Sequence, residues 1–483
     1  MIFNSIDFAI FLPIIFILYW FVVNKNLKAQ NLLLLVASYV FYGWWDWRFL
    51  SLIIFSTLVD YTIGVCLSKE ANLNKRKLFL WSSIFVNLGF LAFFKYYNFF
   101  LDNFITAFSF FGTEINANSL NIILPVGISF YTFQTLSYTI DVYRKKIEPT
   151  TDFISFATFV SFFPQLVAGP IERATNLLPQ FYKKRDFDYS RAVDGMRQIL
   201  WGLFKKVVIA DNCAKYANLI FNNSDDYNGS TLVLGAIFFT FQIYGDFSGY
   251  SDIAIGTSKL FGFNLKQNFA SPYFSRDIAE FWRRWHISLS TWFRDYLYIP
   301  LGGSRGGTWM SIRNVFIIFI VSGFWHGANW TFIIWGTLNA LYFLPLLLFK
   351  KNRVNINIVA QEGYLPSLKE FFQMSITFGL TVFAWIFFRA ENISHAWKYF
   401  RGIFSLSLFE LPSIKQGLSN AIPTMFFLIF FLILEWIGRN QKYAIERLGF
   451  KWKRQYRLAL YYAIFFLVIW FNNTEQEFIY FQF

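Results

Sequence analysis

The feature that most constrains this chain is the recurrence of apolar stretches about as long as a lipid bilayer is thick. A helix needs about 20 apolar residues to cross the hydrocarbon core of a membrane. Of the 483 residues, 56% are apolar and only 15% are charged, whereas soluble globular proteins have about 25% charged residues. A water-soluble body of this composition could not cover its surface with polar groups. The sequence therefore predicts an all-α, polytopic membrane protein.

These stretches are numerous enough for about 11–12 transmembrane helices. They lie near residues 6–23, 31–45, 49–67, 78–101, 121–140, 193–212, 231–256, 313–330, 331–349, 371–388, 421–438 and 457–472. No long linker interrupts them, and the chain lacks the internal repeat that is typical of inverted-topology transporters. We therefore expect one membrane-embedded domain over residues 1–483.

Basic residues mark alternate loops and thereby orient the chain. Lys25 and Lys28 follow the first predicted span, and the basic run 144–146 follows the fifth, whereas the intervening loop 44–48 is neutral. Cytoplasmic loops are the ones enriched in Lys and Arg. The N-terminus is therefore expected to lie outside. Basic loops, rather than a nucleic-acid site, account for the net charge of +14.

Two apolar segments do not fit this alternation. Residues 151–171 have basic loops on both sides, so a re-entrant hairpin broken at Pro164, Gly169 and Pro170 fits better than a full crossing. Non-helical backbone at membrane depth must be shielded by protein or line a cavity, and we expect this hairpin to help build an internal cavity. Residues 281–303 carry three arginines among many aromatic residues, which indicates an interfacial or re-entrant helix.

The chain has only three histidines, and two of them lie in apolar surroundings. His326 stands near the end of a predicted span, and His286 lies in the amphipathic segment WRRWHISLS. His395 falls in the polar stretch RAENISHAW and is expected to be a solvated loop residue. Ionisable groups inside membrane segments are costly, so each is a candidate functional residue.

His326 is the stronger candidate for proton transfer. An imidazole has an unperturbed pKa of about 6.5 and can act as a general base near neutral pH. Gly323 and Gly327, on either side of His326, are expected to leave room for a substrate to approach the ring. The alternative is a structural histidine that is hydrogen-bonded to a neighbouring helix.

Four carboxylates also fall inside predicted spans. For Asp60 and Glu435 we expect pairing with arginines that locks helices together. Asp246 and Asp252 are six residues apart and lie on different faces of a helix, so they cannot form a carboxylate dyad from one helix alone. The Gly-xxx-Gly pair in residues 245–249 predicts close helix packing.

Several chemistries are excluded by spacing. Metal sites need three or four suitable ligands, and the two membrane histidines are forty residues apart. The phosphate-binding loop of nucleotide-driven pumps is missing. The G-x-S-x-G match at residues 302–306 lacks the strand–turn–helix setting of a nucleophile elbow and is expected to be a turn.

Four long motifs and the last six residues carry a resemblance to a known family. They are FFPQLVAGPIER (162–173), YGDFSGYSDIAIG (244–256), FWRRWHISLSTWFRDYLYIPLGG (281–303), SGFWHGANWTFIIWG (322–336) and FIYFQF (478–483). In this order they resemble the membrane-bound O-acyltransferases, and within them the bacterial alginate O-acetylase branch. The resemblance runs essentially from end to end.

The resemblance implies a fold and a site. It implies a ring of tilted helices around a thinned centre, multi-pass in the bacterial inner membrane, where a cytoplasmic acyl donor meets an extracytoplasmic acceptor. The central family histidine matches His326, and the second matches His286. Acetyl-CoA is the implied donor substrate, and no permanently bound cofactor is implied.

The other predicted site residues have supporting roles. Asn329 is predicted to stabilise the oxyanion and Trp325 to position substrate, while His286 either orients the donor thioester or protonates the leaving thiolate. Arginines on the predicted cytoplasmic side would hold the donor phosphates. These donor-binding candidates are Arg283, Arg284 and Arg294, in a cluster with Arg276 and Arg305.

The resemblance thus predicts an O-acyltransferase that acetylates an alginate-like exopolysaccharide, peptidoglycan or another surface polysaccharide. The acceptor is either the polymer itself or a periplasmic acetyl-handling partner, since the chain carries no serine-hydrolase domain of its own. Two alternatives from other classes are a polysaccharide transporter or export channel, and a non-catalytic scaffold that recruits a secreted acetylase.

Overall fold

A computed structural model describes residues 1–112, 119–361, 363–414, 418–472, 476 and 478–479. Throughout these ranges the chain forms helices and loops without a β-strand, and the all-α prediction is confirmed. The backbone forms two compact units, Met1–Ala192 with Thr257–Lys266 and Val193–Gly256 with Gln267–Phe483. The prediction of one functional domain over the whole chain stays a prediction. Tyr480 to Phe483, which end the resemblance, lie outside the described residues.

The first part of the chain contains helices α1 to α8. Their bounds are Ile6–Ile17, Leu27–Asp46, Leu50–Lys69, Leu73–Leu91, Tyr97–Phe110, Ile128–Tyr143, Phe153–Ser161 and Ala174–Leu177. The remaining α-helices are α9 (Tyr189–Leu203), α10 (Asp211–Asn222), α11 (Gly229–Leu260), α12 (Ile278–Arg284), α13 (Ile287–Phe293), α14 (Gly307–His326), α15 (Trp330–Leu348), α16 (Leu368–Arg389), α17 (Ile393–Ile403), α18 (Ile422–Ile437) and α19 (Arg454–Phe471). Two wider π-helical stretches matter below, Phe204–Ala210 and Arg294–Tyr298.

Side-chain caps define where many of these helices begin. Asn26 accepts a hydrogen bond from the amide of Ala29 at the start of α2, and Asn392 accepts one from His395 at the start of α17. Ser367 and Glu370 form a reciprocal capping box at α16. Such caps satisfy amides that the helix itself leaves without acceptors.

Six helical stretches in the described chain are long and apolar enough to cross a membrane. They are Leu27–Lys69, Leu73–Phe110, Gly229–Leu260, Gly307–His326, Trp330–Leu348 and Leu368–Arg389. The first holds two of the predicted spans, α2 and α3, which are joined by the turn Trp47–Phe49. Ile6–Val22 and Ile422–Ile437 are shorter apolar helices, and the further spans among the predicted 11–12 stay predictions.

Both segments predicted to be re-entrant are broken helices. After the nine-residue helix α7, residues 162–172 are irregular and buried. Protein groups satisfy part of this backbone, since Ser38 Oγ accepts from the backbone amide of Phe163 at 3.0 Å and the carbonyl of Phe162 accepts from the backbone amide of Gln165, also at 3.0 Å. Residues 281–303 comprise α12, α13 and a π-helical stretch, with a break at Trp285 and His286.

The close packing of α14 against α15 depends on two glycines. A Cβ on Gly323 would lie 2.2 Å from the carbonyl oxygen of Phe332, and one on Gly336 would lie 2.2 Å from that of Phe319. The space beside Gly327 is filled by the Phe332 ring, 2.1 Å from a hypothetical Cβ. The expectation that Gly323 and Gly327 leave room for substrate is therefore wrong, because both positions serve helix packing.

The buried carboxylates of α11 are paired with consecutive lysines. Lys205 Nζ lies 2.5 Å from Asp252, and Lys206 Nζ lies 2.9 Å from Asp246. Gly249 lets α11 pack closely against α9, because a Cβ at this position would lie 2.8 Å from the carbonyl oxygen of Gly202. The predicted close packing at residues 245–249 is confirmed.

Asp60 and Glu435 hold helices together, but not through arginines as expected. Asp60 accepts hydrogen bonds from Asn87 and Thr139, each at 2.8 Å, and from Ser83. Glu435 accepts from the Tyr244 hydroxyl at 2.7 Å and from Ser271 at 3.0 Å. Neutral donors on neighbouring elements thus supply these hydrogen bonds to both carboxylates.

The α14–α15 contact predicts the effect of adding a single methyl group. Gly323→Ala is expected to destabilise the protein by roughly 1–3 kcal/mol, because the helices must separate or distort to accept it. Gly379→Ala is the matched control, since no atom lies within 4 Å of a Cβ at that position in α16. The measurement is the melting temperature of the detergent-solubilised proteins. Equal melting temperatures for the two variants would contradict the packing role of Gly323.

Candidate active site

His286 occupies a buried bend between two short helices. Its side chain is 2% exposed, and its backbone has a φ of +43° at the point where α12 has ended and α13 begins. Its Nδ1 lies 3.1 Å from Oδ1 of Asn268, and its ring stands edge-on to Phe247 with 4.6 Å between centroids. Burial holds the pKa of His286 well below its usual value, and His326 lowers this pKa further through its charge.

His326 is the last residue of α14 and is 7% exposed. Its ring stands edge-on to Trp335 of α15 at 5.2 Å, and its centroid lies 5.4 Å from that of Phe388 in α16. The close approach of α14 and α15 thus places this imidazole against aromatic walls from two neighbouring helices.

A chain of tryptophans links the surroundings of the two histidines. Trp285, which directly precedes His286, lies 5.2 Å from Trp385, and Trp385 stacks on Trp335 at 5.6 Å. Trp335 in turn contacts His326. The structure therefore brings the two predicted catalytic histidines to one aromatic cluster, although they are forty residues apart in sequence.

Asn329 has a defined structural task. Its Oδ1 accepts from the amide of Thr331 at 3.0 Å and caps α15, and its Nδ2 donates to the carbonyl of Glu391 at 2.7 Å. Acting on an oxyanion would require that Nδ2 leave Glu391. The roles predicted for Asn329 and for the half-buried Trp325 stay predictions.

The predicted donor-binding arginines have unequal access. Arg276 and Arg284 both pair with the buried carboxylate of Glu280, at 3.0 and 2.9 Å. Arg283 donates to the carbonyls of Asn352 at 2.9 Å and Asn355 at 2.7 Å. The side chain of Arg294 is 59% exposed and forms an ion pair of 2.8 Å with its neighbour Asp295.

Sequence reasoning missed two residues of this region, Glu280 and Asn268. The four-residue spacing from Arg276 to Glu280 and from Glu280 to Arg284 is a readable helical signal for ion pairing. No comparable local signal marks Asn268, because its contact with His286 joins residues 18 apart.

His395 differs from its prediction as a loop residue. It lies in the first turn of α17, because Asn392 caps that helix at its start. Its half-buried ring borders an open polar cavity of about 470 Å³, which is also lined by Asp225 and Lys398. In the described residues no group of His, Cys, Asp and Glu is arranged to hold a metal ion.

Comparison with known proteins places this site in a family. Residues 39–388 match the MBOAT, membrane-bound O-acyltransferase family. The probable alginate O-acetylase AlgI of Pseudomonas aeruginosa is 40% identical over 446 residues, which cover 92% of this chain and 82% of that protein. The peptidoglycan O-acetyltransferase of Helicobacter pylori is 33% identical over 524 residues, 98% of this chain and 95% of that protein.

A more distant match is the teichoic acid D-alanyltransferase of Bacillus subtilis, 27% identical over 286 residues, 57% of this chain and 71% of that protein. Residues 39–388, which match the family, include both histidine motifs. The six apolar helices fit a multi-pass membrane protein. The chain belongs to the membrane-bound O-acyltransferase family and is a multi-pass membrane O-acyltransferase.

Proposed function

We propose that this enzyme transfers an acetyl group from cytoplasmic acetyl-CoA to hydroxyls of an extracytoplasmic polysaccharide in the bacterial inner membrane, with the N-terminus outside. The observation that carries the proposal is the meeting of His286 and His326 at one aromatic cluster. The names of the relatives, which refer to alginate and to peptidoglycan, support a polymeric acceptor. An alginate-like exopolysaccharide is our first candidate and peptidoglycan the second.

In the proposed reaction His326 acts as the general base. It removes the proton from the acceptor hydroxyl, and the oxygen attacks the acyl carbonyl carbon of the thioester. The carbon–sulfur bond then breaks with its electron pair on sulfur, and the thiolate receives a proton. The proton lost by the hydroxyl is thus balanced by the one gained by the thiol. The surrounding rings exclude water, which would otherwise compete for the acyl group.

The donor is proposed to bind through arginines of α12 and the π-helical stretch Arg294–Tyr298. Arg283 and Arg294 are exposed, whereas Arg284 is half-buried. Arg294, with a side chain that is 59% exposed and pairs with the adjacent Asp295, is our first candidate to meet a soluble phosphate. Arg283 and Arg284 would have to share hydrogen bonds that they already make.

The acceptor side is proposed to involve a periplasmic acetyl-handling protein. Such a partner would receive the acetyl group from the membrane enzyme and pass it to the polysaccharide, because a soluble protein reaches a surface polymer more readily than a membrane site does. Direct transfer to the polymer is the alternative route. In both routes the enzyme is surrounded by membrane lipid.

Replacing the proposed base is expected to abolish transfer. His326→Ala should leave ester-linked acetyl in surface polysaccharide at the level of a deletion strain, because no other group would activate the hydroxyl. The measurement is that acetyl content in a deletion strain complemented with each variant at matched membrane abundance. His395→Ala is the matched control and should restore acetylation fully. Full acetylation with His326→Ala would instead favour a scaffold that recruits another acetylase.

Neutralising the exposed arginine is expected to weaken donor binding. Arg294→Gln should raise the apparent KM for acetyl-CoA about fivefold, which corresponds to about 1 kcal/mol for a partly solvated charge contact, with kcat unchanged. The measurement is thiol release from acetyl-CoA by membrane vesicles with an open cytoplasmic face. The control is Arg401→Gln, an exposed arginine on α17. An unchanged KM in Arg294→Gln would remove this residue from the donor site.

A further inference from the structure

We propose that Asn268 is a positioning residue that fixes the tautomer of His286, so that Nε2 is the nitrogen that takes up and releases a proton during acyl transfer. The inference rests on the proposed catalytic role of His286 and adds to it a residue and an atom. Asn268 touches neither of the proposed substrates and acts only through His286.

The orientation of the Asn268 amide is fixed by its neighbours. The backbone amide of Ser288 donates to Oδ1 of Asn268 at 3.2 Å, and a backbone N–H can be accepted only by the oxygen of the side-chain amide. The nitrogen Nδ2 faces the other way and donates to Ser251 Oγ of α11 at 3.1 Å. The atom presented to His286 is therefore an oxygen.

That oxygen determines which imidazole nitrogen carries the proton. Nδ1 of His286 lies 3.1 Å from Oδ1 of Asn268, and an amide oxygen can accept but not donate. Ser288 Oγ, 3.5 Å from Nδ1, donates its own hydrogen to the same Asn268 oxygen at 2.9 Å and so offers none to Nδ1. We therefore assign the hydrogen to Nδ1, which in the neutral ring leaves the lone pair on Nε2. Burial favours this neutral form of His286.

Backbone hydrogen bonds hold the segments that carry Asn268 and His286 side by side. The amide of Ile287 donates to the carbonyl of Asn268 at 2.9 Å, and the amide of Ala270 donates to the carbonyl of Arg284 at 3.0 Å. The left-handed backbone of His286 is strained for a residue with a side chain, and such strain persists only where surrounding contacts enforce it. With Phe247 edge-on to the ring, the imidazole is held at both its backbone and its ring.

This arrangement separates the two roles open to His286. A neutral ring whose only hydrogen is on Nδ1 cannot donate to the thioester from Nε2. It can accept there the proton that His326 has taken from the acceptor hydroxyl, which returns His326 to its neutral form, and the resulting imidazolium keeps its Nδ1–H bond to Asn268. It then gives the Nε2 proton to the thiolate that forms when the carbon–sulfur bond breaks, which returns the ring to neutrality. The geometry therefore favours protonation of the leaving group over orientation of the donor.

The test compares two substitutions of Asn268 with a matched control. Asn268→Leu removes the acceptor and is expected to lower acetylation about 10- to 100-fold, by analogy with metal-binding histidines that lose the partner orienting their ring. Asn268→Asp keeps an acceptor oxygen and should recover most of the activity. Ser251→Ala removes only the partner of Nδ2 and should stay within about twofold of wild type, because Ser288 still fixes the amide.

Two measurements make the result specific. The first is ester-linked acetyl in complemented cells, divided by the amount of each variant in the membrane. The second is the pH dependence of thiol release from acetyl-CoA in vesicles. A carboxylate beside the ring stabilises imidazolium and raises its pKa by about one unit or more, so the acid limb for Asn268→Asp should move to higher pH.

Three results would overturn the role of Asn268. They are normal acetylation per molecule in Asn268→Leu, no recovery in Asn268→Asp, and a loss in Ser251→Ala as large as that in Asn268→Leu. His286→Ala separates this inference from the function on which it rests. Full acetylation in His286→Ala would remove His286 from the mechanism, and with it the proposed role of Asn268. Loss in His286→Ala with normal Asn268→Leu would overturn only the positioning role.

Discussion

The hydrocarbon core of a membrane contains no water, and every polar group buried there must find its partner within the protein. This constraint shapes the parts of the molecule where the chain departs from a regular apolar helix. In the irregular residues 162–172, the backbone amide of Phe163 donates to Ser38 and the side chain of Gln165 donates to the carbonyl of Phe159. The buried carboxylate of Glu280 is shared by two arginines, since removing one partner of a buried pair leaves an uncompensated charge.

The same constraint explains how a site for polar chemistry is built among apolar helices. Each proposed catalytic histidine is enclosed by aromatic rings, and Nδ1 of His286 faces Asn268 Oδ1 at 3.1 Å and Ser288 Oγ at 3.5 Å. Aromatic rings are large, form preferred edge-on and offset contacts, and exclude water. The glycines that bring α14 against α15 contribute to the same site, because the close packing of these helices sets the distance between His326 and the ring of Trp335.

The histidines could be predicted from the sequence because they lie in long motifs in a chain with few ionisable groups. The all-α fold followed equally well from the length and apolarity of the spans. Gly323 was misread because a glycine beside a histidine has the same local pattern whether it opens space or allows helix contact. The partners of Asp60 and Glu435 were also misassigned. Tertiary packing selects those partners, and any hydroxyl or amide on a facing helix can serve as well as an arginine.

The two consecutive lysines in Phe204–Ala210 have a consequence for how this segment can vary. Their acidic partners are six residues apart in α11, a separation of about 9 Å along a helix axis at 1.5 Å per residue. The adjacent lysines reach both partners from the wider π-helical backbone observed there. Replacing an apolar residue would leave this spacing intact, whereas inserting or deleting one residue would rotate a lysine away from its acid. The segment is therefore constrained in length more strictly than in composition.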